Sequence, residues 1–183
     1  MTSNKKSLKT SISLIGMAGA GKSSSGLALA SKAGMNFVDS DQLIETQYKE
    51  TLQSILDKYG YIKLRKIEES VLSNIDFHET ILATGGSAIY SSKAMEYLRA
   101  NSCIIFLDVP LELILKRVPS FLDRGFAKEP SQSIEDAFAE RQDLYKKYSS
   151  GIMLSPSPAS GMQIESGLKS STGKGGSSTW NVS

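Results

Sequence analysis

Eight consecutive residues, Gly16-Met17-Ala18-Gly19-Ala20-Gly21-Lys22-Ser23, satisfy G-x-x-x-x-G-K-[ST] in full, and the apolar run Ile12 to Ile15 stands ahead of them. A strand that passes through such a loop into a helix makes a cradle for nucleotide phosphates. Its backbone N–H groups point inward, and the positive end of the next helix faces the same anion. Lys22 would reach the β and γ phosphates, with Gly16, Gly19, Ala20, Gly21 and Ser24 completing the cradle. Ser23 would offer its hydroxyl to Mg²⁺, which prefers oxygen ligands and keeps much of its water. These residues suit ATP as a phosphate donor and leave the acceptor open.

Residues further along could serve the acceptor. Asp39-Ser40-Asp41 closes a second strand-like run, and period-2 geometry would point both carboxylates towards the phosphate loop. Asp39 could hold Mg²⁺ through water, and Asp41 could orient or deprotonate an acceptor hydroxyl. Alternatively both acids simply cap the following helix, where Asp is favoured. Arg65 and Glu68 stand three apart on a helical pattern. They form either a solvated surface pair or a unit in which Glu68 aims Arg65 at a substrate carboxylate. Gly85-Gly86-Ser87 follows another strand, where backbone can approach a small ligand or simply turn. Arg124 lies in an aperiodic segment, residues 119–131, that reads as a mobile lid. Arg117 and Arg141 flank that segment. Three arginines gathered on a transferring phosphoryl group and an acidic acceptor would stabilise spread negative charge, although each alone also reads as a surface residue. His78, the only histidine, falls in a polar loop and reads as solvated.

These residues need a scaffold that brings strand ends together. Apolar runs at Ser11 to Ile15, Asn36 to Asp39, Thr80 to Ala83 and Cys103 to Asp108 alternate with helical patterns. The helices are expected at Lys22 to Ala33, Asp41 to Lys58 with a break near Glu50, Gly60 to Ser73, Ser91 to Ala100, Leu111 to Val118, and Ser133 to Tyr148. That alternation predicts an α/β fold of three layers, with a central parallel sheet of about five strands, and Gly151 to Leu154 could supply the fifth. In such sheets ligands gather at the carboxyl ends of the strands.

The 183-residue chain fits one domain that can bury a core without disulfides or structural metal. A formal charge of +2 and the lack of a long basic run give no indication of a nucleic-acid partner. Cys103 is the only cysteine, so no intrachain disulfide can form, and its apolar neighbours predict a buried strand residue. No stretch approaches the roughly 20 apolar residues of a membrane span, and no signal-peptide core is visible, so a cytoplasmic location is expected. Residues 1–10 read as a flexible lead and 11–154 as the folded domain. Residues 155–183, rich in Ser, Gly and Pro, read as mostly disordered. No apolar strand ends in a Walker-B acidic pair, and there is no N-K-x-D, which argues against a motor ATPase or a GTPase switch.

From about Ile12 to about Tyr148 the chain resembles the shikimate kinase family of P-loop kinases. Phe37-Val38-Asp39-Ser40-Asp41 is similar to the family's D-x-D element, whose first acid serves magnesium and whose second contacts the shikimate hydroxyls. Leu64-Arg65 and Glu68 are similar to its F-R-x-x-E element, whose arginine binds the shikimate carboxylate. Ala83-Thr84-Gly85-Gly86-Ser87 resembles the glycine triplet beneath the acceptor. Arg117, Arg124 and Arg141 fall where the family has its adenine-contacting, lid and carboxylate-binding arginines, and Glu140 to Tyr145 resembles its R-x-x-L-Y helix. The resemblance implies transfer of the ATP γ-phosphate to the 3-hydroxyl of shikimate, with one Mg²⁺ per subunit. That reaction belongs to chorismate and aromatic amino acid biosynthesis, and the resemblance implies a monomer. Ser87 stands for the third glycine, Leu64 for an aromatic residue and Gly125 for proline, and residues 155–183 show no amphipathic closing helix. A related kinase for gluconate or a nucleoside, or an inactive nucleotide-binding module, remains open on the residues alone.

Overall fold

The computed structural model describes residues 11–118, 126–154 and 164–165. Its strands are β1 (Ile12–Ile15), β2 (Asn36–Asp39), β3 (Thr80–Ala83), β4 (Cys103–Asp108), β5 (Gly151–Leu154) and β6 (Ile164–Glu165). They lie in the order β2-β3-β1-β4-β5-β6. The first five are parallel, while β6 pairs antiparallel with β5 through Ile152 opposite Glu165 and Met153 opposite Ile164. The expected parallel sheet of about five strands is therefore present. β6 adds a short strand within residues 155–183, whose remainder lies outside the described residues, as do residues 1–10.

The helices are α1 (Lys22–Ala33), α2 (Ser40–Tyr48), α3 (Leu52–Leu72), α4 (Ser92–Asn101), α5 (Leu111–Arg117) and α6 (Ile134–Tyr148), with a 3₁₀ turn at Ala88–Tyr90. Neighbouring residues on each central strand face opposite sides and enter different cores. Leu14, Ile81 and Leu107 join one core with Ala30, Ile114 and Ala137. Ile15, Leu82 and Phe106 join the other with Met95, Leu98 and Tyr145. This two-sided cover explains why the strands read as continuous apolar runs. Among the described residues no helix is long and apolar enough to cross a membrane.

Strand order reverses around β1, with β3 on one side and β4 on the other, and the carboxyl ends there open a crevice. The Leu14 carbonyl receives both the Thr84 amide and the Thr84 hydroxyl, each at 3.1 Å, which ties the exit of β3 to the exit of β1. α2 and α3 stand over this end on a third apolar cluster of Ile44, Ile55, Leu64 and Ile67, joined by Ala127. Thr51 caps α3 by accepting from Ser54 N, and the expected break near Glu50 falls between α2 and α3. Cys103 is half-buried rather than buried, because it opens β4 at the strand's outer end.

α3 bends at Gly60, whose φ of 77° and ψ of 167° lie in a region that side chains other than glycine's avoid. Nothing lies within 4 Å of a Cβ built there, so the constraint is conformational rather than steric. Gly60→Ala is expected to lower stability by about 1–3 kcal/mol, measured by urea denaturation. An unchanged midpoint would show that the bend does not depend on glycine.

Candidate active site

The phosphate loop follows β1 and ends at Gly21, which caps α1 in the left-handed region at φ 93°. Lys22 is nearly enclosed, and its Nζ donates to the Gly16 carbonyl at 2.7 Å and the Met17 carbonyl at 2.9 Å. Burial pulls its pKa down to about 8, against the upward pull of Asp41, Asp39 and Glu68, in that order. Ser23 stands exposed on the first turn of α1. Ser24 Oγ donates to the Gly21 carbonyl at 3.0 Å, and Arg117 Nη1 reaches the Ala20 carbonyl at 3.3 Å. The loop thus gathers Gly16, Gly19, Ala20, Gly21, Lys22, Ser23, Ser24 and Arg117 in one place.

Asp39 ends β2 and caps α2, its Oδ1 accepting from Asp41 N at 3.0 Å. The period-2 argument does not describe this pair, because the strand stops at Asp39 and Asp41 already lies in the first helical turn. The capping alternative holds for Asp39. Even so, both acids act on Lys22 electrostatically, so capping does not remove them from the phosphate side. Between them Ser40 is fully buried, and its Oγ accepts from Gly85 N at 2.9 Å.

Gly85 and Gly86 form the floor between these groups. A Cβ on Gly85 would collide with Glu68 Oε1 and stand 2.8 Å from Asp41 Oδ1; one on Gly86 would stand 3.1 Å from Ala18 N of the phosphate loop. A side chain at Gly85 would displace the Glu68 carboxylate, and one at Gly86 would press on the loop backbone, so the floor brings Asp41 and Glu68 to the loop. Ser87 is buried, and its hydroxyl donates to Glu68 Oε2. Burial is the main reason that Glu68 is held up to about 7; Asp41 adds to the rise, while the Ser87 bond and the charges of Arg141 and Arg65 oppose it.

Glu68 does not pair with Arg65. Although the two are three residues apart on α3, Glu68 turns to Ser87, whereas Arg65 Nη2 donates to the Ala127 carbonyl at 3.0 Å. Arg141 on α6 is wholly enclosed and is not a surface arginine. Its Nη2 donates to the same Ala127 carbonyl at 2.8 Å, its Nη1 to Gly86 O at 3.4 Å and its Nε to the Tyr90 hydroxyl at 3.4 Å. Tyr145 OH completes the Gly86 carbonyl at 2.7 Å. Burial, above all, lowers the pKa of Arg65, and Tyr90 and Tyr61 counteract this.

A cleft is lined by Ala18, Asp41, Leu52, Leu64, Glu68, Gly85, Gly86, Ser87, Phe126, Ala127 and Arg141. Of the segment expected as a lid, residues 119–125, including Arg124, lie outside the described residues. Phe126 and Ala127, within the same expected segment, are buried and wall the cleft. His78 is exposed, as its polar loop suggested. Ser40, Tyr90 and the Ala127 carbonyl had no sequence signal of their own. Tyr145 was visible as the last residue of the Glu140 to Tyr145 resemblance.

A strand, a phosphate loop and a helix at the switch point of a parallel sheet, facing Asp41, Glu68 and Arg141 across a cleft, with Arg65 held on the Ala127 carbonyl beside it, define a P-loop phosphotransferase of the small-molecule kinase class. The shikimate kinase family profile matches residues 18–165. A shikimate kinase from Sulfurihydrogenibium is 33% identical over 136 residues, covering 74% of this chain and 82% of that protein. The Haemophilus influenzae enzyme is 34% identical over 143 residues, covering 76% and 79%. Among solved structures, the shikimate kinase from Acinetobacter baumannii in complex with shikimate superimposes with a TM-score of 0.72 at 30% identity, covering 81% of this chain and 85% of that one. The chain belongs to the shikimate kinase family, phosphotransferases that act on a hydroxyl group and use ATP as co-substrate.

The position of Glu68 makes stability depend on pH. Its folded pKa, about 7, is above the ordinary 4.5, so the folded state binds more protons between those values. Stability attributable to Glu68 is then present below pH about 4.5 and lost as pH rises through about 7. Glu68→Gln is expected to flatten this part of the urea-midpoint profile, and an unaltered slope would place the titration elsewhere.

Proposed function

We propose that this chain transfers the γ-phosphate of ATP to the 3-hydroxyl of shikimate, giving shikimate 3-phosphate and ADP. The observation that carries the reading is the contact of the Gly85-Gly86 floor with Ala18, which sets the Asp41 carboxylate beside the phosphate loop and its Lys22. Asp41 accepts the proton of the acceptor hydroxyl as its oxygen attacks the γ phosphorus. The bond to the β-phosphate oxygen breaks, and ADP leaves with that electron pair. Lys22, released from the Gly16 and Met17 carbonyls, supports the negative charge on the transferring group.

Arg65 and Arg141 bind the acceptor carboxylate in this reading, with Gly85, Gly86 and Ser87 beneath it. Arg117 lies along the nucleotide. Arg124, beyond the described residues, is proposed as the lid arginine on the phosphates. Ser23 and Asp39 would hold Mg²⁺; both offer oxygen, the donor type that this ion selects. Bound there, it would supply charge that offsets the phosphate oxygens. The single cysteine supports a cytoplasmic enzyme, and we take it to act as a monomer.

A coupled assay of ADP release with Mg-ATP and shikimate, gluconate, a nucleoside or no acceptor tests the proposal. Turnover is expected with shikimate alone. Turnover with another acceptor, or nucleotide binding without turnover, would replace the reading. Asp41→Asn is expected to lower kcat by about 10²- to 10⁴-fold while ATP still binds; transfer at the parent rate would remove Asp41 from the reaction. Arg65→Ala is expected to raise the acceptor KM by roughly 10- to 100-fold, and an unchanged KM would take Arg65 out of the site.

A further inference from the structure

Two buried or half-buried guanidinium groups stand side by side at the acceptor end, and among the described residues neither forms an ion pair. Like charges held together in a poorly hydrated place need compensation. Hydrogen bonds supply little of it. Arg65 has one, to the Ala127 carbonyl, and its Nε is buried without a hydrogen-bond partner among the described residues. Arg141 has one of good length, to the same carbonyl, and two near 3.4 Å.

The remaining compensation comes from aromatic faces. Tyr61 stands 5.1 Å from Arg65 Cζ, and Phe126 stands 4.3 Å from Arg141 Cζ. Among the described residues Tyr90 is the one ring that meets both, at 3.6 Å from Arg65 Cζ and 5.3 Å from Arg141 Cζ. It also accepts at its hydroxyl from Arg141 Nε. Tyr90 ends the 3₁₀ turn that follows the Gly85-Gly86-Ser87 floor, so its ring is carried by the backbone that forms the base of the site.

The mode of holding has a chemical consequence. A carboxylate would occupy the in-plane N–H groups of a guanidinium, whereas a ring against its face leaves those donors free for a planar, bidentate acceptor. Glu68, three residues on along the same helix, is held by Ser87 instead of by Arg65, and Glu140 acts on Arg65 through charge without a hydrogen bond or ion pair to it among the described residues. We infer that Tyr90 is a positioning residue for recognition of an acidic acceptor: its ring supports Arg65 from the face, its hydroxyl steadies Arg141 at Nε, and the guanidinium N–H groups not taken by Tyr90 or by the Ala127 and Gly86 carbonyls stay available to the acceptor's carboxylate. This rests on the proposed roles of those arginines in shikimate binding.

Tyr90→Phe keeps the ring, and Tyr90→Leu removes it. Shikimate affinity is measured calorimetrically, alongside kcat and the KM values for shikimate and ATP, and the same is done with shikimate methyl ester. Tyr90→Phe is expected to stay within about threefold of the parent. Tyr90→Leu is expected to weaken shikimate binding about tenfold, leave the ATP KM within about twofold, and collapse the preference for acid over ester. Should Tyr90→Leu not fold, a mono-, di- and trifluorophenylalanine series at position 90 preserves shape while draining the ring face; shikimate Kd should rise with each fluorine. A flat fluorine series, an intact acid preference in Tyr90→Leu, or equal rises in both KM values would overturn the assignment. A parent that binds shikimate without turnover defeats the catalytic reading and leaves position 90 readable from Kd. A parent that does not bind it defeats both.

Discussion

The structure depends on how closely the turn after β3 approaches the phosphate loop. Thr84 gives its amide and its hydroxyl to one carbonyl of β1, and Gly86 then passes so near Ala18 that a Cβ there would stand only 3.1 Å from its backbone nitrogen. From that contact follows the rest of the site's arrangement. Gly85, fixed by Ser40, brings Asp41 and Glu68 within reach of Lys22, and the Gly86 carbonyl anchors Tyr145 and Arg141 of α6. In the proposed reaction the phosphate donor and the hydroxyl acceptor meet where these two backbones do.

Charge at the site is distributed unevenly, and burial is what makes this matter. Lys22 is drawn down to about 8 and Glu68 is held up to about 7, so a buried cation and a buried acid both approach neutrality from opposite directions. Arg65 and Arg141 have no such freedom, because guanidinium stays protonated. Rings and carbonyls hold them instead. The proposed acceptor pocket is therefore positive at one wall and proton-sensitive at its floor, a combination that favours an anionic ligand over a neutral one of equal size.

Much of this was legible in the chain because the relevant residues are contiguous. The phosphate loop is one unbroken motif; α1 spans Lys22–Ala33 as its pattern indicated, and the break near Glu50 has its counterpart between Tyr48 and Leu52. Asp39 and Asp41 were less legible, since three residues cannot tell a strand end from a helix start, and the helix begins between them. The partners of Glu68 and Arg65 were not legible at all. Intrahelical spacing favoured pairing them with each other, but tertiary contacts from the 3₁₀ turn and from Ala127 are closer. Tyr90 is an ordinary aromatic residue in the sequence and becomes informative only once α3 and α6 flank it. The short β6 is likewise hidden by a Ser- and Gly-rich composition that two paired residues do not alter.

The Lys22 ammonium of the phosphate loop is largely satisfied from within, because two of its three N–H groups are spent on its own backbone. An incoming phosphate meets one uncommitted N–H of the ammonium and competes for the other two, where it gains only the difference between its bonds and those it displaces. Such a loop discriminates by threshold. A polyphosphate able to replace both carbonyls at once recruits the lysine, whereas an isolated weak anion leaves it folded onto the chain.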